Sequence, residues 1–351
     1  MTAVRIVTIG GSAGAIEPLG QLVQGLPRSF SVPVFVVVHI APSSPSVLPE
    51  ILARVTPLAV AHAKDGEPIS AGRIYVAPPD HHMLVRGGRV RLTRGPRENR
   101  HRPSLDTLFH SAAHEYGAAT AGVVLSGSLD DGAAGLFGIS RAGGVAIIQS
   151  PEDASYPGMP SAALRVVPQA HVLNPTRMGA FLARIAEMDE TVSSHKQPGK
   201  APLIPDEDRI AELDFYAAQE TQANGVPSPF VCPDCGGTLF ELAEGALVRY
   251  RCRTGHAHSQ ESLSGPSKNG SRRPSGQRCA PSTSTPIYRA GQPAGLGPGT
   301  CHWPLIVTNN PRDDDERAKM LRRVLSAEEP MVQMHGPPGS RGPPAPGTSR
   351  D

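Results

Sequence analysis

At 351 residues the chain exceeds the roughly 250–300 residues that a single hydrophobic core usually serves, so one large domain and a smaller module are expected. Lysine and arginine (34) nearly balance aspartate and glutamate (32) for a formal net charge of +2, which argues against nucleic acid or an anionic membrane as partner. No apolar run reaches the roughly 18 residues of a membrane span, and the opening MTAVRIVTIGG lacks the basic region and long apolar stretch of a secretory leader; a cytoplasmic protein with no direct membrane insertion is expected.

In chain order, the apolar runs VRIVTI, VPVFVVVHI, RIYVAP, AGVVLSGS and GVAIIQS alternate with stretches of helical period at 15–25, 45–54, 104–116, 132–142 and 175–188. Several runs are uninterrupted, as in strands covered on both faces. The spacing therefore predicts an α/β domain over 1–188, doubly wound around a mostly parallel sheet. Within it, HHMLVRGGRVRLTRG reads as a β-hairpin turning at Gly87 and Gly88, at the sheet margin. Ser104 and Asp131 fall at helix starts. Residues 189–228 read as a linker with one helix in DEDRIAELDFYAA, and 229–260 as a compact cysteine and histidine module. From 261 to 351 the chain turns rich in Pro, Gly, Ser and Arg. It is either disordered or, between about 264 and 312, the product of a reading-frame error, which Cys279, Cys301 and Trp303 favour; only 313–325 has helical character.

Ligands of open α/β sheets bind at the carboxyl ends of the strands, so the polar residues there matter most. Ser12 follows VRIVTI inside GGSAG, His39 ends VPVFVVVHI, and Asp130 and Asp131 follow AGVVLSGSL. Each has an ordinary reading as a turn or strand-end residue. Together they supply a nucleophile, a base and an orienting acid, the set that acyl transfer needs. The backbone N–H after Ser12, at a helix start, could serve an oxyanion. A phosphate-binding turn is the main non-catalytic alternative, but the P-loop lysine and the full G-x-G-x-x-G spacing are missing.

IGGSAG, VVHIAPSSPSVLPEIL, IYVAPPDHHMLV, RHRPSLDTLFHSAA, LSGSLDDGAAGL and GMPSAAL occur in this order over residues 4 to about 186. On these motifs the chain resembles the catalytic domain of the chemotaxis protein-glutamate methylesterases (CheB). The resemblance implies a triad of Ser12, His39 and Asp131 acting without a catalytic cofactor. It implies hydrolysis of glutamate γ-methyl esters on the cytoplasmic helices of methylated chemoreceptors, releasing methanol, with glutamine deamidation as a second activity. It also implies a stand-alone form, since the catalytic motif begins within ten residues of Met1 where the archetype carries a receiver domain. Ala13 and the SGSL of 126–129 stand where the family commonly has Thr and TGMG. The alternatives are a small-molecule serine esterase and a degenerate, receptor-binding regulator. The basic stretch RGPRENRHRP, 94–103, is expected to be a solvated loop.

Outside that domain, Cys232, Cys235, Cys252 and His256 are spaced C-x2-C-x16-C-x3-H. Five cysteines in an intracellular chain suit a metal better than disulfides. The spacing predicts a structural zinc in a zinc-ribbon-like module, with His258 competing for the fourth position.

Overall fold

The computed structural model describes residues 4–187, 210–212, 225–244 and 247–264. The expected linker apart from 210–212 and 225–228 lies outside these residues, as does the chain after 264, including the helix expected at 313–325 and the frame-error reading.

Seven parallel strands form the central sheet: β1 (Ile6–Gly11), β2 (Val34–Val38), β3 (Ala59–His62), β4 (Arg73–Val76), β7 (Thr120–Val124), β8 (Val145–Gln149) and β9 (His171–Leu173). Their order is β3-β4-β2-β1-β7-β8-β9. Every residue of β1, β2, β7 and β8 is buried, which is why these strands read as unbroken apolar runs. Alternate residues divide between two cores. Val7, Ile9, Val34, Val36 and Val38 face one of them, with Leu19 and Leu22 of α1 (Ile16–Gln24), Leu52 of α2 (Leu48–Ala53) and Met178 and Leu182 of α6 (Pro175–Ala186). Ile6, Phe35 and Val37 face the other, under Leu105, Leu108 and Phe109 of α3 (Leu105–Tyr116), Leu136 of α4 (Ala133–Arg141) and Met159 of α5 (Gly158–Val166). The one buried polar side chain facing up from mid-β1, Thr8, donates to Ala121 O at 3.1 Å.

The doubly wound architecture agrees with the sequence reading, and the helix boundaries lie within a few residues of those expected. Three elements carry no sequence signal strong enough to announce them. β3 is an edge strand of half-exposed residues, β9 has only 3 residues, and α5 opens Gly-Met-Pro. The proline is tolerated because it falls in the first turn, where a backbone N–H has no helical partner. The hairpin β5 (His82–Arg86) and β6 (Arg89–Thr93) turns at Gly87 and Gly88, whose φ values are 56° and 69°. It is a separate two-stranded sheet. Rather than extending the sheet margin it packs on α3, where Val85 N–H donates to Ser111 Oγ at 3.2 Å.

The second unit is a four-stranded antiparallel sheet, β10 (Val226–Val231), β11 (Thr238–Glu244), β12 (Leu247–Cys252) and β13 (Ala257–Ser259), followed by the short α7 (Gln260–Ser264). Its core is small: Cys232, Leu239, Tyr250 and Cys252, with Cys235, Val248 and Leu263 against them. Among the described residues no helix is long and apolar enough to cross a membrane.

Candidate active site

Gly11 pairs with Val38, and the N–H of His39 donates to Gly11 O at 3.2 Å. Ser12 and His39 therefore leave adjacent parallel strands at the same level. On the other side of β1, Gly10 pairs with Val124, and Ser12 N–H donates to Ser126 O at 2.9 Å. From the neighbouring strands β1 and β7 the chain continues in opposite directions, to β2 on one side and β8 on the other, so Ser12 sits at the switch point where such sheets bind their ligands. Gly14, at φ 72°, makes the turn into α1, a conformation costly to residues with a Cβ. Gly127 is required for a different reason. A Cβ there would come 2.0 Å from Met159 Sδ and 3.0 Å from Ser12 Cβ, so the loop after β7 can lie against Ser12 only without a side chain.

Asp131, 2 % exposed, collects four donors. Oδ2 accepts from His39 Nε2 and from Leu105 N–H, both at 2.8 Å; Oδ1 accepts from Ser104 Oγ at 2.7 Å and Asn99 Nδ2 at 3.1 Å. Burial pulls this carboxyl upward, but the bond from His39, the nearby imidazoles and the Leu105 N–H outweigh it and hold Asp131 well below the usual carboxylate range. The Leu105 bond also places the charge at the N-terminus of α3, where the helix dipole favours an anion. Ser104 therefore starts α3 as expected, but its hydroxyl goes to Asp131 instead of capping the helix. Neighbouring Asp130 takes no part: its Oδ1 accepts from Ser259 Oγ at 2.7 Å, and burial raises its pKa to about 6.

His39 is stacked on His101, with ring centroids 3.6 Å apart and planes 8° from parallel. With Nε2 given to Asp131, the other ring nitrogen, Nδ1, is buried with no hydrogen-bond partner. Ser12 is half-buried, and no hydrogen bond joins its hydroxyl to His39 among the described residues. The arrangement can orient an imidazole and fix its tautomer, leaving a second nitrogen able to take a proton.

The stretch 94–103 is not the solvated loop expected from its charge. Glu98, Asn99 and Arg102 are all buried. Arg102 bonds Asp80 Oδ1 at 2.9 and 3.1 Å and Gly95 O at 2.8 Å, which neutralises and anchors it. His82 supports the same stretch. Burial lowers its pKa to about 4, and as a neutral ring it donates from Nε2 to Pro96 O at 3.0 Å and accepts at Nδ1 from Ser104 N–H at 3.3 Å. At its end, Glu98 and His101 exchange both backbone hydrogen bonds around Asn99 (φ 48°) and Arg100 (φ 68°), a tight hairpin turn. Asn99 Nδ2 bridges Asp131 and Asp106 Oδ2, the latter at 2.9 Å. Charge alone hid these partners, since a basic stretch is most often solvated. His101, Ser104 and Asp106 do lie in the RHRPSLDTLF motif, which was the available signal.

Residues 7–182 match the family described as CheB methylesterase. The chain belongs to the CheB methylesterase family. A Salmonella typhimurium protein named protein-glutamate methylesterase/protein-glutamine glutaminase is 35% identical over 191 residues, covering 53% of this chain and 54% of that protein. A Leptospira interrogans relative with the same two activities in its name is 33% identical over 180 residues, covering 51% of this chain and 93% of the relative. The crystal structure of the Thermotoga maritima CheB methylesterase catalytic domain superposes with a TM-score of 0.50 at 31% identity, covering 52% of this chain and all (100%) of that one. The cysteine and histidine module lies beyond the CheB methylesterase match.

In that module Cys232, Cys235, Cys252 and His256 present ligand atoms that all lie within 4.8 Å of one another. The sequence left His256 and His258 in competition. His256 Nδ1 stands 3.6 Å from Cys252 Sγ among the thiols, whereas His258 groups only with Cys232, at 3.5 Å, and Asp234, at 3.4 Å.

Proposed function

We propose that this chain hydrolyses glutamate γ-methyl esters on the cytoplasmic helices of chemoreceptor proteins, with Ser12 as nucleophile, His39 as base and Asp131 as the group that orients it. The observation that carries the reading is the His39 Nε2–Asp131 bond of 2.8 Å at the end of β2, one strand from Ser12. The names of the relatives supply the substrate class.

The carboxylate holds the proton of His39 on Nε2. Nδ1 then keeps its lone pair and takes the Ser12 proton as Oγ attacks the ester carbonyl. The Ala13 N–H, with no backbone acceptor among the described residues, stabilises the oxyanion. The imidazolium protonates the departing methoxide, methanol leaves, and water resolves the acyl-serine by the same route to give the glutamate carboxylate. A glutamine side-chain amide would follow the same path with ammonia leaving, which accounts for deamidation as a second activity.

Ser12→Ala removes one oxygen at a strand end and no core volume. It is expected to lose methanol release from methylated receptor by about 10⁴-fold or more with an unchanged fold by circular dichroism. A near-normal rate in this variant would sink the mechanism. Labelling of Ser12 by a fluorophosphonate separates the enzyme from a degenerate regulator or a phosphate-binding turn, neither of which needs an activated serine.

A further inference from the structure

We propose that Cys232, Cys235, Cys252 and His256 bind a zinc ion whose module buttresses the triad through the turn at 98–101, so that metal occupancy sets the activity of the catalytic domain. The inference rests on the triad reading above.

The donor set fits the metal. A tetrahedral zinc about 2.3 Å from each sulfur and about 2.0–2.1 Å from a ring nitrogen places sulfurs about 3.8 Å apart and sulfur and nitrogen about 3.6 Å apart. Cys235 and Cys252 Sγ are 3.5 Å apart, and Cys252 Sγ and His256 Nδ1 are 3.6 Å apart. All three cysteines are free thiols. Two tight knuckles present them. Cys232 N–H donates to Gly237 O and Gly236 N–H to Cys232 O, both at 2.8 Å; Cys252 N–H donates to His256 O at 3.0 Å and Gly255 N–H to Cys252 O at 2.9 Å. Thr254 Oγ1 lies 3.2 Å from Cys235 Sγ and 3.0 Å from Cys252 Sγ, where its hydroxyl supports a thiolate. Four protein ligands leave no open position, so the role is structural. With a core this small, the metal supplies much of the module's folding free energy.

The ligands adjoin the residues that touch the catalytic domain. Cys252 ends β12, which carries Arg249 and Arg251; both bond Glu98, at 2.9 Å each. His256 precedes Ala257, whose N–H donates to Arg97 O at 3.2 Å and whose carbonyl accepts from Asn99 N–H at 2.8 Å. Ser259 N–H then donates to Asn99 Oδ1 at 3.0 Å, which turns the amide so that Nδ2 faces Asp131 and Asp106. The same turn delivers His101 to the face of His39.

Asn99 and Arg100 are both left-handed without being glycine. Such a residue carries a conformational cost and persists only when its surroundings over-determine it. The module supplies those surroundings. When it unfolds, the turn relaxes, Asp131 loses a donor and His39 loses its stacking partner. Among the described residues no hydrogen bond or ion pair places the module over Ser12, which stays half-buried with the module seated; the coupling therefore supports the site and does not block it. Asn99 is a positioning residue.

The test uses the full chain purified without chelator. It should carry one zinc per chain by elemental analysis, and cobalt in its place should show thiolate charge-transfer bands; a metal-free protein overturns the proposal. Removing zinc should lower kcat on the order of 10²-fold, as for a catalytic group displaced by about 1 Å, with KM nearly unchanged. Cys235→Ser should do the same and Cys235→His should restore both metal and rate. Should the Cys235 variants not fold, Asn99→Gly decides, because glycine accepts the left-handed turn. That variant should retain zinc, lose kcat to a similar extent and respond little to zinc removal. Full kcat in zinc-free protein, a rise in kcat, or additive losses would overturn the coupling. Hydrogen exchange over 97–101 should accelerate on zinc removal; unchanged exchange also overturns it. This readout needs no turnover, so a loaded protein with no esterase activity would count against the proposed function alone.

Discussion

Glu98→Ala tests how the two units are held together. The Glu98, Arg249 and Arg251 side chains are 3%, 3% and 2% exposed, and each guanidinium donates to a different carboxylate oxygen at 2.9 Å. Deleting the carboxylate leaves two cations facing each other in a water-poor contact, although Arg251 keeps its 2.7 Å bond to Gly255 O. Breaking a buried ion pair by removing one partner costs about 3–5 kcal/mol. The lower figure alone corresponds to more than ~10²-fold in the docking equilibrium. Because Glu98 lies in a turn outside both main cores, the loss should appear in docking and leave the seven-stranded sheet intact. The assay is hydrogen–deuterium exchange of the Asn99 and Ala257 amides, which bond across the contact. Their protection should fall by about that factor, while the amides of β1 and β7 stay protected. A triple variant with Glu98, Arg249 and Arg251 all replaced by methionine should recover most of the loss, since apolar groups remove the desolvation penalty along with the attraction. Less than a threefold change at Asn99 and Ala257 in Glu98→Ala would refute the reasoning.

Asp131→Asn should lower the esterase rate by on the order of 10⁴-fold, because all four of its partners donate and an amide turned toward His39 forces the ring proton onto Nδ1; imidazole NMR showing Nε2–H in this variant would count against the explanation. Gly127→Ala should cost about 1–3 kcal/mol by overpacking against Met159 and Ser12 and slow fluorophosphonate labelling; an unchanged melting temperature would contradict the close approach. Asp106 should stay protonated at neutral pH, since burial and the adjacent Asp131 raise its pKa to about 8. The protonated state favours folding, so this contribution is complete below the ordinary carboxylate range and declines as pH rises through about 8. An infrared carboxylic-acid band that persists above pH 7 and vanishes in Asp106→Asn checks it, and a band lost entirely by pH 5 would disprove it.

The α/β class, the order of elements and the three strand-end residues were legible because they follow from local rules. Unbroken Val and Ile runs mark strands covered on both faces, glycines mark turns, and polar residues at the carboxyl ends mark the ligand side of the sheet. Ser12, His39 and Asp131 could thus be named before any geometry, as could the four cysteine and histidine positions that the structure brings together, from their spacing. Local pattern could not show that much of the basic stretch 94–103 is buried, because the burial of Glu98 and Asn99 depends on partners as far away as residue 259 in the sequence, and Arg102 is held by Asp80 across a separate loop. Nor could it choose between His256 and His258, which the structure sets in different groups of candidate ligand atoms, His256 with Cys232, Cys235 and Cys252, and His258 with Cys232 and Asp234. Those outcomes belong to tertiary structure: a charge is solvated or buried according to what packs on it, and a left-handed turn without glycine survives only where a distant segment supplies the hydrogen bonds that hold it.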